Sequence, residues 1–152
     1  MAEQIITDDQ AKALGASLFN RVWGFIDNKN RTEADELEMI HAAHASRWHW
    51  QQAGGPKQLA IGEWQCARVY CEVGFPELAI FHAQACLELT ESNDLEQWMH
   101  ASAYEVLARA YWAAGDLDLA KLSRGRARQI LANYPEDGDS KLVAAQVAEL
   151  TF

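Results

Sequence analysis

Between His41 and Trp50 the chain sets three histidines, one arginine and two tryptophans in ten residues: His41-Ala-Ala-His44-Ala-Ser-Arg47-Trp48-His49-Trp50. On a helix, His41, His44 and Trp48 fall at i, i+3 and i+7 and share a face, with Arg47 beside His44. Further along, His82 and Cys86 stand one helical turn apart. Imidazole nitrogens and a thiolate on facing helices are ligands for zinc or another first-row metal. His41, His44, His82 and Cys86 are therefore a candidate metal set, or the centre of a small-molecule site or an enzyme. The spacing is not His-Glu-x-x-His, and no carboxylate stands at a fitting offset. The expected role of these histidines is packing and hydrogen bonding, with no cofactor.

A second constellation is polar without being metallic. Trp64 and Arg68 are one turn apart, as are Glu105 and Arg109, so each pair can meet along its own helix. Together with Arg47 they form a candidate binding set for a ligand or partner. Arginine heads recognise a carboxylate or phosphate, and tryptophan supplies apolar area. Burying several arginine heads is costly unless anions compensate them. Glu105 neutralises about one, so the expected partner is a protein or peptide segment with acidic groups beside apolar ones. The competing reading makes Glu105 and Arg109 an intrahelical ion pair that pins neighbouring helices. Lys121, Arg124 and Arg128 form a basic stripe at i, i+3 and i+7, read as a solvated face near a helix C-terminus.

Catalytic motifs are scarce. There is no Gly-x-Ser-x-Gly, no phosphate-binding Gly-Lys-Ser/Thr loop and no dinucleotide fingerprint. Cys66, Cys71 and Cys86 are odd in number and lack Cys-x-x-Cys spacing, which fits reduced core thiols in a reducing compartment. A formal net charge of −9 argues against a nucleic-acid backbone as partner. The apolar runs fall well short of the roughly 20 residues a membrane span needs. The start, Met1-Ala-Glu-Gln-Ile-Ile-Thr-Asp-Asp, is acidic where a signal peptide is basic. A soluble cytoplasmic, non-enzymatic protein is expected, with no nucleic-acid or membrane partner.

The elements that must position these residues read as helices throughout. Ala and Leu outnumber Val and Ile, favouring helix over sheet, and a chain of 152 residues fits one domain. The expected helices run from about Thr7 to Asp27, Thr32 to Gln52, Lys57 to Val73, Pro76 to Glu91, Leu95 to Ala114, Leu117 to Asn133 and Ser140 to Leu150. Thr7 and Thr32 are candidate N-caps. Gly54-Gly55-Pro56, Gly74, Ser92-Asn93-Asp94, Gly115 and Pro135-Glu-Asp-Gly-Asp are the breaks.

Tyr104-x-x-Leu-Ala-x-x-Tyr-x-x-x-Gly-Asp-x-x-x-Ala, with a further Ala at 127, joins two amphipathic helices at a glycine with small residues at their crossing. This segment resembles a tetratricopeptide repeat. A degenerate copy precedes it by 41 residues: Gly74 matches Gly115, Ala67 matches Ala108, Tyr70 matches Tyr111, Ala79 matches Ala120 and Cys86 matches Ala127, while Glu63 replaces the first aromatic. Repeats of this class typically span 34 residues. The resemblance covers Glu63 to Ala132. It implies an all-α fold of about seven helices, stacked as antiparallel hairpins in a right-handed superhelix. Residues 7–53 would form an N-terminal helix pair, 57–133 two repeat-like hairpins and 140–150 a capping helix. It also implies a groove between the first helices of successive hairpins that holds a protein or peptide segment. His41-Ala-Ala-His-Ala-Ser-Arg, Glu63-Trp-Gln and Tyr104-Glu-x-Leu-Ala-Arg-Ala also resemble a group of small bacterial helical proteins without an assigned activity. A homo-oligomer pairing through tryptophan-rich faces is the third expectation.

Overall fold

The computed structural model describes residues 3, 5–134 and 137–152. The expectations for Met1, Ala2 and Gln4 in the acidic N-terminal stretch, and for Pro135 and Glu136 in the last break, lie outside them. Among the described residues there are seven helices and no strand: α1 (Asp8–Asp27), α2 (Glu33–Ala53), α3 (Pro56–Val73), α4 (Pro76–Ser92), α5 (Gln97–Ala113), α6 (Leu117–Ala132) and α7 (Gly138–Ala148).

Local chemistry sets most of the boundaries. Thr7 and Thr32 each close a capping box, with Gln10 and Asp35 returning the bond. Pro56 and Pro76 occupy first-turn positions, where their missing N–H costs nothing. Gly74 (φ 84°) and Gly115 (φ 81°) take the left-handed conformation that turns the chain after α3 and α5. Asp116 then caps α6 by accepting from the Leu119 N–H at 3.1 Å. The α5 start differs from expectation by two residues. Asp94 adopts φ 47° and the Leu95 N–H is spent on the Thr90 carbonyl, so helical geometry begins only at Gln97.

Consecutive helices pack as antiparallel hairpins, α1 on α2, α3 on α4 and α5 on α6. The odd-numbered helices also contact one another in succession, α1 to α3 to α5 to α7. They form an inner row of four, with α2, α4 and α6 outside it. Close approach depends on small residues. Ala67, Ala79, Ala108, Ala120 and Ala127 are fully buried and Cys86 nearly so, so the positions related by the 41-residue shift share one environment. Tyr70 and Tyr111, also related by that shift, each meet the preceding outer helix, at His44 Nε2 (2.8 Å) and Gln84 Nε2 (3.5 Å).

Helix α3 is enclosed on all sides: every residue from Gly62 to Val69 is buried. Glu63, Gln65 and Arg68 have no solvent face to occupy and need partners inside the protein. Glycine provides the room at two contacts. The Gly15 carbonyl accepts from Ser46 Oγ at 2.7 Å, and a Cβ at Gly15 would meet Trp50 Cδ1 at 2.4 Å. At Gly62 a Cβ would meet Arg47 Cγ at 2.8 Å. Gly15→Ala should therefore destabilise by about 1–3 kcal/mol, because overpacking against the buried Trp50 ring outweighs the gain in helix propensity. Chemical denaturation followed by circular dichroism measures this. A neutral or stabilising result would mean that α1 and α2 do not approach as closely as described.

Candidate functional site

The side chains singled out above divide between two sides of α3. On the outer side, Arg47 from α2 lies across Gly62, and its Nε donates to Glu63 Oε1 at 2.9 Å. Glu63 Oε2 lies 2.6 Å from His82 Nδ1 on α4. The His82 ring stacks on Tyr70 (centroids 5.5 Å apart) and meets His44 edge-on at 5.2 Å. His44 bonds Tyr70 through Nε2, and its Nδ1 lies 3.9 Å from the Cys66 sulfur. This cluster fills the space between the outer helices α2 and α4.

Its chemistry is that of a satisfied polar core. Burial pushes the Glu63 carboxyl up, but the bonds from His82 and Arg47 outweigh it and hold the group below the usual carboxylate range. Burial, reinforced by His82, lowers His44 below its ordinary 6.5. Burial pushes the thiols of Cys66, Cys71 and Cys86 up to about 12, so at neutral pH they are protonated and poor nucleophiles.

The four-ligand metal set does not assemble. His44 and His82 meet, whereas His41 is exposed and Cys86 belongs to the core cluster around Trp64 and Leu107. Among the described residues no three His, Cys, Asp or Glu side chains are grouped to hold a metal ion. The reason lies in the orientation of α2, which buries Met39, Ala42, Ala43, Ser46 and Trp50. That face leaves His41 and Trp48 outside, Trp48 at 68% exposure.

On the inner side the remaining candidates come together. Arg109 Nε donates to Glu105 Oε1 at 2.8 Å, and its Nη2 reaches Glu149 at 3.0 Å. Arg68 pairs with Glu72 at 3.1 Å and Glu149 at 3.6 Å, and Glu72 also receives Arg31 at 3.3 Å. Trp64 Nε1 donates to the other Glu105 oxygen at 3.3 Å. The result is a ladder of alternating charge from the α1–α2 turn to the end of α7. With Glu36 lying 3.8 Å from Arg31, its three guanidinium groups face four carboxylates, so the described ladder carries no surplus positive charge to draw an acidic partner. Arg47 takes no part. Burial pushes the fully enclosed Glu105 carboxyl up against the pull of Arg109 and Arg68. Burial also opposes the Arg109 charge, but Glu105 and Glu149 prevail and hold it firmly protonated.

Trp64 joins this ladder to an open groove of about 510 Å³. Its walls come from α1 (Phe19, Trp23, Asp27) and α7 (Asp139, Leu142, Val143, Gln146). Ile61 and Trp64 of α3, with Trp98, Met99 and Ser102 of α5, line it between them, and Trp50 of α2 adds a further ring. Trp23 and Trp64 meet at a tilt of 31° with centroids 5.8 Å apart, and Arg68 lies 5.9 Å from the Trp23 ring centre. Phe19, Trp23 and Trp98 escape a sequence reading centred on polar pairs. One signal was present: Trp23, Trp64 and Glu105 are spaced by 41 residues, the repeat interval, and occupy successive inner helices.

The basic stripe separates. Arg124 donates to the carbonyls of Leu150 and Phe152 and covers the Phe152 ring at 4.2 Å, while Lys121 and Arg128 are exposed.

The lowered His44 value has a consequence for pH. Between its folded value and 6.5 the unfolded chain binds the proton and the folded chain does not, so stability rises with pH there. The contribution is fully present above 6.5 and is lost as pH falls through the folded value. Unfolding free energies measured from pH 8 to 5 should therefore decline toward acid, and His44→Gln should flatten that decline. Parallel curves would show that His44 is not held neutral.

No protein-family model, curated protein or solved structure matches this chain.

Proposed function

We propose that this chain is a non-enzymatic binding module of tetratricopeptide-like architecture, which holds a segment of a partner protein in the groove between α1 and α7. The observation that carries this reading is the convergence of four of the six tryptophans, from four different helices, on one open groove. Trp50 and Trp64 are buried at its base, while Trp23 and Trp98 are only half-buried and present ring surface to the opening. Tryptophan supplies large contact area at small entropic cost and is prominent among residues that dominate binding energy. The groove volume falls within the common range of about 300–1,000 Å³ for ligand sites.

The alternative of an enzyme or metal protein built on His41, His44 and His82 has less support. His44 and His82 are engaged by Tyr70 and Glu63, and the neighbouring Cys66 thiol is pushed up to about 12. No helix among the described residues is long and apolar enough to cross a membrane.

Selection from a displayed random-peptide pool tests the proposal. Enriched peptides should quench tryptophan fluorescence, and Phe19→Ala or Trp98→Ala should each weaken them at least about tenfold, roughly 1.4 kcal/mol. Helix content should be unchanged. Peptides that bind both variants as tightly as the parent would place the binding surface elsewhere.

A further inference from the structure

The groove has a charge as well as an apolar lining. Among the described residues that line it, none is a lysine, arginine or histidine, and the ionisable carboxylates are Asp27 and Asp139. Both are exposed, one ending the α1 wall and the other opening the α7 wall, and neither forms an ion pair among the described residues. Two cations close to the groove are paired within the chain. Lys57 is paired with Glu96 at 2.5 Å, and Arg68 with Glu72 and Glu149. The groove therefore offers aromatic rings and unpaired carboxylates on a chain of net charge −9.

Resting on the binding-module reading, we propose that the occupant is a basic amphipathic helix of a partner protein. Its apolar side chains would lie on the tryptophan-lined floor, and its lysine or arginine heads would reach Asp27 and Asp139. Two rings of the groove already accept cations from within the chain, Trp98 from Lys57 (5.4 Å) and Trp23 from Arg68 (5.9 Å). An acidic segment would set its carboxylates against Asp27 and Asp139. A second copy of this chain would itself carry a net charge of −9. Complementary potential governs encounter and register at such surfaces.

Three labelled synthetic helical peptides test the assignment, each about 18 residues or roughly five turns long. They share one leucine face and carry lysine, glutamine or glutamate elsewhere. In titrations at about 0.15 M salt, where only close charges still act, affinity should fall in the order lysine, glutamine, glutamate, with at least tenfold between the extremes. The double variant Asp27→Asn/Asp139→Asn should weaken the lysine peptide about five- to tenfold and leave the glutamine peptide unchanged. Glu38→Gln/Glu88→Gln, which removes the same charge from exposed positions on α2 and α4, should leave both peptides unchanged. Equal losses in the two double variants would overturn the proposal in favour of bulk charge. Equal binding of the lysine and glutamine peptides, still abolished by Phe19→Ala, would refute the basic occupant while the groove stands. If no peptide binds, both readings fail. A lysine peptide indifferent to Phe19→Ala but sensitive to salt also overturns the proposal, because it docks outside the groove.

Discussion

Glu105 is a carboxylate with no access to solvent at the seam of α3 and α5, and the inner face of the molecule depends on how it is satisfied. A buried charge is tolerable only when paired and hydrogen-bonded. Arg109 supplies the charge and the Trp64 indole supplies a further donor. Arg109 is itself largely enclosed and leans on Glu149 and the Gln146 carbonyl, which ties α5 to the end of α7. Glu149 also reaches Arg68, which leads through Glu72 to Arg31, and Arg31 donates to the Phe25 and Ile26 carbonyls at the end of α1. Removing one member leaves its neighbour uncompensated, so the ladder specifies one arrangement of the inner helices. Trp64 is held by the first rung and lines the groove, so the groove inherits that arrangement.

Helix α3 serves both sides at once. Glu63 turns outward to Arg47 and His82, while Trp64, the next residue, turns inward to Trp23 and Glu105. The outer cluster bridges α2 and α4 with polar contacts and stacked rings. It contains the residue types of a catalytic site, but their hydrogen-bonding capacity is turned on one another. The groove is lined chiefly by aromatic and aliphatic side chains, and burial pushes the thiol of Cys86 in its lining up to about 12, which leaves it a poor nucleophile.

Much of the framework was legible in the sequence because it rests on short-range chemistry. Threonine capping boxes, Pro76 at a first turn and left-handed glycines act within a few residues, and most helix bounds followed from them, whereas Pro56, read as part of a break, opens α3. The Glu105–Arg109 pair was legible for the same reason. The ladder was not, since Glu72 and Glu149 stand 41 and 40 residues from the arginines they meet across helices. Side-chain direction was least legible on α2 and α3. A helix buried all round has no polar face to orient it, and α2 carries tryptophan on both its buried and its exposed sides. Hence Arg47 turned to the outer cluster, His41 and Trp48 to solvent, and the aromatic groove emerged from residues far apart in sequence.

The dependence of the inner face on the Glu105–Arg109 contact is measured most directly by a double-mutant cycle on unfolding free energy, using Glu105→Gln, Arg109→Met and the pair together. The account predicts that each single change costs about 3–5 kcal/mol, because it strands a buried partner, and that the double change costs clearly less than their sum. Strictly additive or negligible losses would contradict it, since they would mean that the two groups are solvated independently and that the ladder does not hold the inner helices together.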